Sequence, residues 1–205
     1  GLELLGHTQG LRAEVSQWID VTTIQGDPIT NKKGTAGNAA PGLTIPIFAC
    51  MLKYIPWWRV IEGLLFHGDR RRPALFLMLK AGGIHRLPQP AQAIIHKARN
   101  EMSRNLDALE ERLGDDRTWV CGDTFTLADV SWMAILERID EVDWTGLFFG
   151  EDKRPTTFAY WTRLKKRPSY AAALGQRDSI HMRALEDLRK AKQVAPAVRE
   201  ALEVN

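Results

Sequence analysis

The sequence predicts an all-α fold, a helical bundle, and three observations carry that reading. Residues 128–136 hold a single charge, Asp129, with apolar side chains pointing in nearly every helical direction. A surface helix shows one apolar stripe, so a helix that is apolar all round belongs inside a core. Ala91, Ile95, Ala98, Met102, Leu106, Leu109 and Leu113 step by threes and fours along one long segment, the period of an amphipathic helix. Nowhere in the 205 residues do apolar and polar side chains alternate with the period of a strand, and no internal repeat is present.

The elements follow in order. Gln9 to Gln25 forms a first helix with Leu11, Val15, Trp18, Ile19 and Thr22 on one face, stopped by Gly26, Asp27 and Pro28. Residues 30–42 lack periodicity and are expected to be a mobile loop. Thr44 to Leu79 is apolar but irregular: Pro46 suits a first helical turn, whereas Pro56 breaks or kinks a helix in mid-course. Lys53, Arg59 and Glu62 exclude a conventional transmembrane helix in this stretch. Trp57 and Trp58 beside Lys53 and Arg59, followed by Arg70, Arg71 and Arg72, instead have the composition of an interfacial amphipathic surface. Packing against the core, or a subunit contact, is the expectation for the segment ahead of membrane contact. Gly82, Gly83 and Pro88 mark a break before the long helix, which Gly114 is expected to end in the left-handed conformation.

The apolar helix that follows has a written start. Thr126 suits the N-cap, and Asp129, three positions on, can reach back to its N–H, which makes a capping box flanked by Phe125 and Val130 as a hydrophobic staple. A buried helix end cannot rely on water, so the box satisfies donors that would otherwise be orphaned. Asp129 is therefore assigned a structural role and not a catalytic one. Residues 143–154 read as a loop. Pro155 and Pro168 each open a helix, with Phe158, Trp161 and Leu164 inward in one and Tyr170, Ala173 and Leu174 inward in the other. Asp178 to Lys192 is amphipathic, and Pro196 begins a last short helix.

Composition excludes several function classes. Cys50 and Cys121 lack metal-like spacing and fit free thiols in a reducing, cytoplasmic compartment. Cys121, between Val120 and Gly122, reads as a small buried hydrophobe. The five histidines show no paired i, i+4 arrangement, so no metal site is indicated. Net charge is +3, and the one dense basic run, Arg70–Arg72, lacks the interleaved aromatics of a nucleic-acid surface. No signal-peptide pattern opens the chain, and Gly1 in place of Met reads as a tag scar or a cut fragment. Glu110 and Glu111 read as a solvated helix face. No Ser–His–Asp order, P-loop or glycine-rich dinucleotide turn occurs, so no catalytic residue is assigned.

Gly122, Phe125, Thr126, Leu127, Ala128 and Asp129 resemble the C-terminal, all-helical domain of the glutathione S-transferase superfamily, whose central helix opens with an [ST]-x-x-D box after a Gly-x-x-[FL] run. The run W-V-C-G-D-T-F-T-L-A-D-V-S is most similar to the ganglioside-induced differentiation-associated protein family. Arg154-Pro155, Tyr160-Trp161 and Lys166-Arg167-Pro168-Ser169-Tyr170 resemble the plant tetrachlorohydroquinone-dehalogenase-like class. The resemblance implies that residues 1–8 are the remnant of an inter-domain linker. Residues 9–205 would then be the helical domain, with an enlarged insertion at 27–90 after its first helix. A thioredoxin-like N-terminal domain, absent from this chain, would hold glutathione and supply a Tyr, Ser or Cys that stabilises its thiolate. The first helix would line the substrate pocket, with Arg12, Ser16 and Ile19 as its candidate wall. The full-length protein would transfer glutathione, its co-substrate, to electrophilic apolar small molecules, while this chain alone would bind none. Implied partners are its own thioredoxin-like domain, a second copy in a homodimer and the hydrophobic small molecule. The alternative is a non-catalytic binding or scaffold module of the same fold, membrane association included, because a fold does not fix a function.

Overall fold

A computed structural model describes residues 3–22, 41–66, 68, 71–175 and 178–204. Among them the chain forms α1 (Gln9–Thr22), α2 (Pro41–Met51), α3 (Trp57–Phe66), α4 (Arg71–Gly82), α5 (Gln89–Leu113), α6 (Leu127–Glu141), α7 (Thr145–Phe148), α8 (Pro155–Lys165), α9 (Pro168–Leu174), α10 (Ser179–Val194) and α11 (Pro196–Glu203). Short 3-10 turns cover Glu3–Leu5, Leu52–Tyr54 and Ile84–Arg86. No strand occurs among the described residues; the one extended pairing is an isolated bridge from Trp119 to Gly122. The fold is all-α. The loop expected over residues 30–42 falls outside the described residues up to residue 40, as do residues 23–25 of the expected first helix.

The chain divides into two compact units, and the division falls within α5 at Arg99. The first unit holds α1, the C-terminal part of α5 and α6 to α9. At its centre α6 is buried nearly all round, with Ala128, Trp132, Ile135, Leu136 and Ile139 fully covered, as its lack of a polar face requires. Val15 and Thr22 bury the inward face of α1, which packs against α6. α5 does not end with a left-handed Gly114: the N–H of Gly114 bonds to Glu111 O at 3.2 Å, and Asp116 takes the positive φ of 63° instead. Aspartate tolerates that region because its short side chain can hydrogen-bond locally.

The expected loop at 143–154 contains α7, a single turn that buries Phe148 between the covered Trp144 and Phe149. Three aromatics so close in sequence cannot all turn inward from an extended chain. α8 and α9 start at their prolines as expected. The inward face expected for α9 is not found: none of its residues is buried, Ala173 is exposed, and Tyr170 and Leu174 are half-covered. Two turns on the surface reach the core through Tyr170, whose ring meets Trp161 at 5.6 Å and whose hydroxyl donates to the Glu137 carboxylate.

The second unit holds α2 to α4, the N-terminal part of α5, α10 and α11. α2 buries Leu43, Ile45, Ile47, Ala49 and Cys50 and packs on α10 through Ala184, Leu185, Leu188 and Ala191. Pro46 lies inside α2 and not in its first turn, because the helix begins at Pro41. The carbonyl that loses its partner is that of Gly42, four residues back. Pro56 does break the chain, between the Leu52–Tyr54 turn and α3. Lys80, near the end of α4, donates to Leu52 O at 2.8 Å and Ile55 O at 2.6 Å, closing that break. α11 is fastened by Lys192 to Glu203 at 2.7 Å, by Arg99 to Glu203 O at 2.7 Å and by a contact of His96 with Ala201 O at 3.0 Å. α3 is different: Val60 is its one buried residue.

Candidate functional site

The capping box at Thr126 is formed and does more than cap. The Asp129 carboxylate, fully buried, accepts from Thr126 N–H at 2.8 Å, Thr126 Oγ1 at 3.1 Å, Val120 N–H at 3.0 Å and Tyr160 Oη at 2.9 Å. One side chain thus ties the start of α6 to the preceding turn and to α8. Burial pushes its carboxyl above the usual range, against the pull of Val120 and Thr126. Gly122 holds the turn with φ 109°, and Trp119 and Gly122 exchange backbone bonds at 2.8 and 3.0 Å. Trp119 meets Phe125 edge-on at 5.0 Å, and the Arg167 guanidinium lies 3.7 Å over Phe125 and 5.0 Å over Trp119. The motif residues around Asp129 are a structural knot.

A second carboxylate does similar work where sequence reasoning placed a solvated face. Glu110 accepts from Thr156 N–H at 2.9 Å, Thr157 N–H at 2.7 Å and Thr157 Oγ1 at 2.6 Å, so α5 caps the N-terminus of α8. Burial raises the Glu110 carboxyl, but the Thr157 hydroxyl and the two N–H donors outweigh it and hold it below its usual range. Arg154 reinforces the joint, donating to Ser103 Oγ at 2.8 Å and Asp107 Oδ1 at 2.6 Å. Glu110→Ala is expected to cost roughly 1–2 kcal/mol, the scale of a lost N-cap, read by chemical denaturation. A depressed folded-state pKa means that this contribution is present above the usual carboxylate range and fades as pH falls through the folded value. The variant should therefore differ from the parent at neutral pH and converge with it in acid.

The three expected wall residues lie along α1. Arg12 and Ser16 are exposed, Ile19 is half-buried, and their spacing places them on one flank. Arg12 Nε donates to Gly6 O at 3.0 Å. A cleft of about 440 Å³ in the same unit is lined by Gln17, Trp18, Val21, Ala108, Arg112 and Arg117, among others. At 100° per residue these α1 positions fall on the opposite flank from Arg12, Ser16 and Ile19. Arg112 is ion-paired with Glu14, donates to Val120 O at 2.9 Å and lies 6.0 Å over Trp18. This cleft offers an indole face, two engaged guanidiniums and the Glu111 and Asp115 carboxylates, and no thiol, hydroxyl or imidazole lines it.

The second unit carries two further hollows. One, of about 610 Å³, touches Cys50, Lys53, Trp57, Lys80, His85 and Asp187; the other, of about 320 Å³, is walled by Phe48, Leu52, Ile55, Val60, Pro73 and Phe76. Phe48 and Phe76 stack at 5.6 Å in the second. Burial, with Asp187 adding to it, pushes the Cys50 thiol up to about 12, and burial likewise raises Cys121 against a hydrogen bond to Thr126. A thiol so placed is not a nucleophile at neutral pH. Both cysteines are free and buried.

The glutathione S-transferase, C-terminal domain family matches residues 66–168. The chain belongs to that family. This glutathione S-transferase C-terminal domain shares 29% identity over 79 residues with a tetrachloro-P-hydroquinone reductive dehalogenase of Sphingobium chlorophenolicum, covering 38% of this chain and 30% of that protein. It shares 27% over 82 residues with glutathione S-transferase TCHQD of Arabidopsis thaliana, covering 40% of this chain and 30% of that one. The match thus spans under a third of each curated relative. No solved structure matches. The family match takes in α4 to α8, including the Asp129 knot and the Glu110 cap, and leaves α1, α2 and nearly all of α3 ahead of it. Among the described residues, no helix of this transferase-type domain is long and apolar enough to cross a membrane.

Proposed function

We propose that this chain is the helical substrate-binding and assembly domain of a glutathione S-transferase-like protein, whose full-length form transfers glutathione to electrophilic, largely apolar small molecules. The family match over residues 66–168 carries the reading. In this proposal residues 1–8 are the end of an inter-domain linker, residues 9–205 are the helical domain with its insertion at 27–90, and a thioredoxin-like domain ahead of them supplies the glutathione site. The flank of α1 bearing Arg12, Ser16 and Ile19 would face the acceptor. A homodimer and a reducing, cytoplasmic setting go with this reading, which two free thiols suit. The name of one relative adds a chlorinated hydroquinone to the compounds worth testing.

Transfer requires a thiolate placed against the electrophile, and placement without activation leaves a thiol mostly protonated at neutral pH. The described carboxylates best positioned by hydrogen bonds, Asp129 and Glu110, are committed to helix ends, and both thiols are covered. The 205 residues alone are therefore expected to be silent in calorimetric titration with glutathione and in a conjugation assay with an aromatic halide. The protein with its upstream domain restored is expected to respond in both. Turnover by the chain alone would overturn the division of labour. Silence of both proteins would favour the second reading, a non-catalytic module of the same fold, which the exposed apolar face of α3 supports.

A further inference from the structure

α3 presents the feature that the transferase reading does not use. On it Trp57, Trp58, Ile61, Leu65 and Phe66 are 51, 57, 44, 65 and 82% exposed. Trp58, Ile61 and Leu65 follow the i, i+3, i+7 spacing of one helical stripe and Trp57 borders it, so these four form a continuous face, while at 100° per residue Glu62 stands at its edge between Trp58 and Phe66. Contiguous apolar patches of this kind mark interaction sites. Only Phe66 of this helix falls within the family match, so the family does not assign the face.

Its polar border has one sign in excess. The Arg59 guanidinium lies 4.1 Å over the Trp58 ring, Lys80 Nζ 4.8 Å over Trp57, and Lys53 Nζ and the Arg183 guanidinium lie 5.3 and 6.0 Å over Tyr54. Each aromatic ring at the head of α3 thus carries a cation. The carboxylates paired with this cluster are Glu62, 3.1 Å from Arg59, and Asp187, 2.9 Å from Lys53. Among the described residues, four cations face two carboxylates.

We infer that α3 docks on an anionic lipid surface. Tryptophan settles at the boundary of headgroups and acyl chains, where its ring is half in each. A helix with an apolar face beside basic residues lies in that plane with the face inserted. Ile61, Leu65 and Phe66 enter the acyl boundary, Trp57 and Trp58 lie at it, and Lys53, Arg59 and Arg183 meet the headgroup phosphates and carboxylates. Lys80, held by two backbone carbonyls, adds its charge at longer range. A second copy of the chain fits less well, because a two-fold contact through this face sets the cation cluster against itself. This inference goes beyond the transferase reading and does not depend on it.

The test is sedimentation of the 205-residue protein with vesicles of phosphatidylcholine alone and of equimolar phosphatidylcholine and phosphatidylserine. The protein is expected to sediment with the mixed vesicles only, with its tryptophan emission shifted to the blue, and to be released by high salt as the cations are screened. Ile61→Glu and Leu65→Glu should each weaken the binding roughly tenfold or more, since a carboxylate then faces the acyl region and the phosphatidylserine charge. Both positions are exposed, so the variants should melt with the parent. No sedimentation at low salt would overturn the inference, as would equal sedimentation with both vesicles. A dimer split by Leu65→Glu, with no vesicle binding, would make the face a subunit contact instead.

Discussion

Asp129→Ala is expected to destabilise the protein by roughly 3 kcal/mol, more than an ordinary cap. A lost N-cap costs roughly 0.5–2 kcal/mol, and each buried group left without a partner adds roughly 1–3. Asp129 serves four donors in a fully buried setting: the Thr126 and Val120 N–H groups and the Thr126 and Tyr160 hydroxyls. Water entering the space left by the carboxylate offsets part of the sum. Thr126→Ala should cost roughly 1–2 kcal/mol and Tyr160→Phe about 1. The pair Thr126→Ala and Asp129→Ala should cost less than its two members added, since they serve one box. Denaturant unfolding measures all four variants, and an Asp129→Ala change of only a few tenths would mean the box is open in solution.

The pH dependence separates the two carboxylate caps. Burial raises the folded-state pKa of Asp129, so its favourable linkage term is present in acid and declines as pH rises through the raised value. Glu110, with its pKa lowered, behaves oppositely.

Gly42→Ala is the other large expected effect. A Cβ built on Gly42 would stand 2.3 Å from Ala98 Cβ and 2.8 Å from Ile94 O, so α2 and α5 approach more closely than any side chain allows. In an exposed helix the same change would help by about 1 kcal/mol through propensity. Here overpacking should reverse the sign and destabilise by roughly 1–3 kcal/mol. Ala98→Gly in the same chain should restore part of the loss, since it removes the nearer atom but leaves the Ile94 carbonyl. Thermal unfolding followed by circular dichroism reads the series, and a net stabilisation by Gly42→Ala would show that the two helices can part without cost.

What the sequence disclosed was local. The Thr126–Asp129 box and the helix starts at Pro155, Pro168 and Pro196 act within a few residues, and each is where the spacing placed it. Glu110 was not legible, because Thr156 and Thr157 lie 46 and 47 positions away and its own helix face is ordinary. Arg154 stands out in the sequence only as part of a motif, because its partners Ser103 and Asp107 belong to another helix. α2 is apolar in nearly every position, so it has no period from which a start at Pro41, ahead of the expected first turn at Pro46, could be read. For α1 the apolar period located the buried face. It could not say which flank borders a cavity, and the described cleft takes Gln17, Trp18 and Val21.

Each unit also contains one cysteine, Cys121 in the first and Cys50 in the second. Alkylating reagents attack the thiolate, and both thiols are buried with their pKa raised. A folded molecule therefore stays unlabelled until the segment around one cysteine opens. When reagent captures each opened thiol faster than the segment recloses, the labelling rate becomes the opening rate itself. Peptide mass then tells which cysteine was caught. The two native cysteines thus time the breathing of each unit separately, with no residue introduced for the purpose.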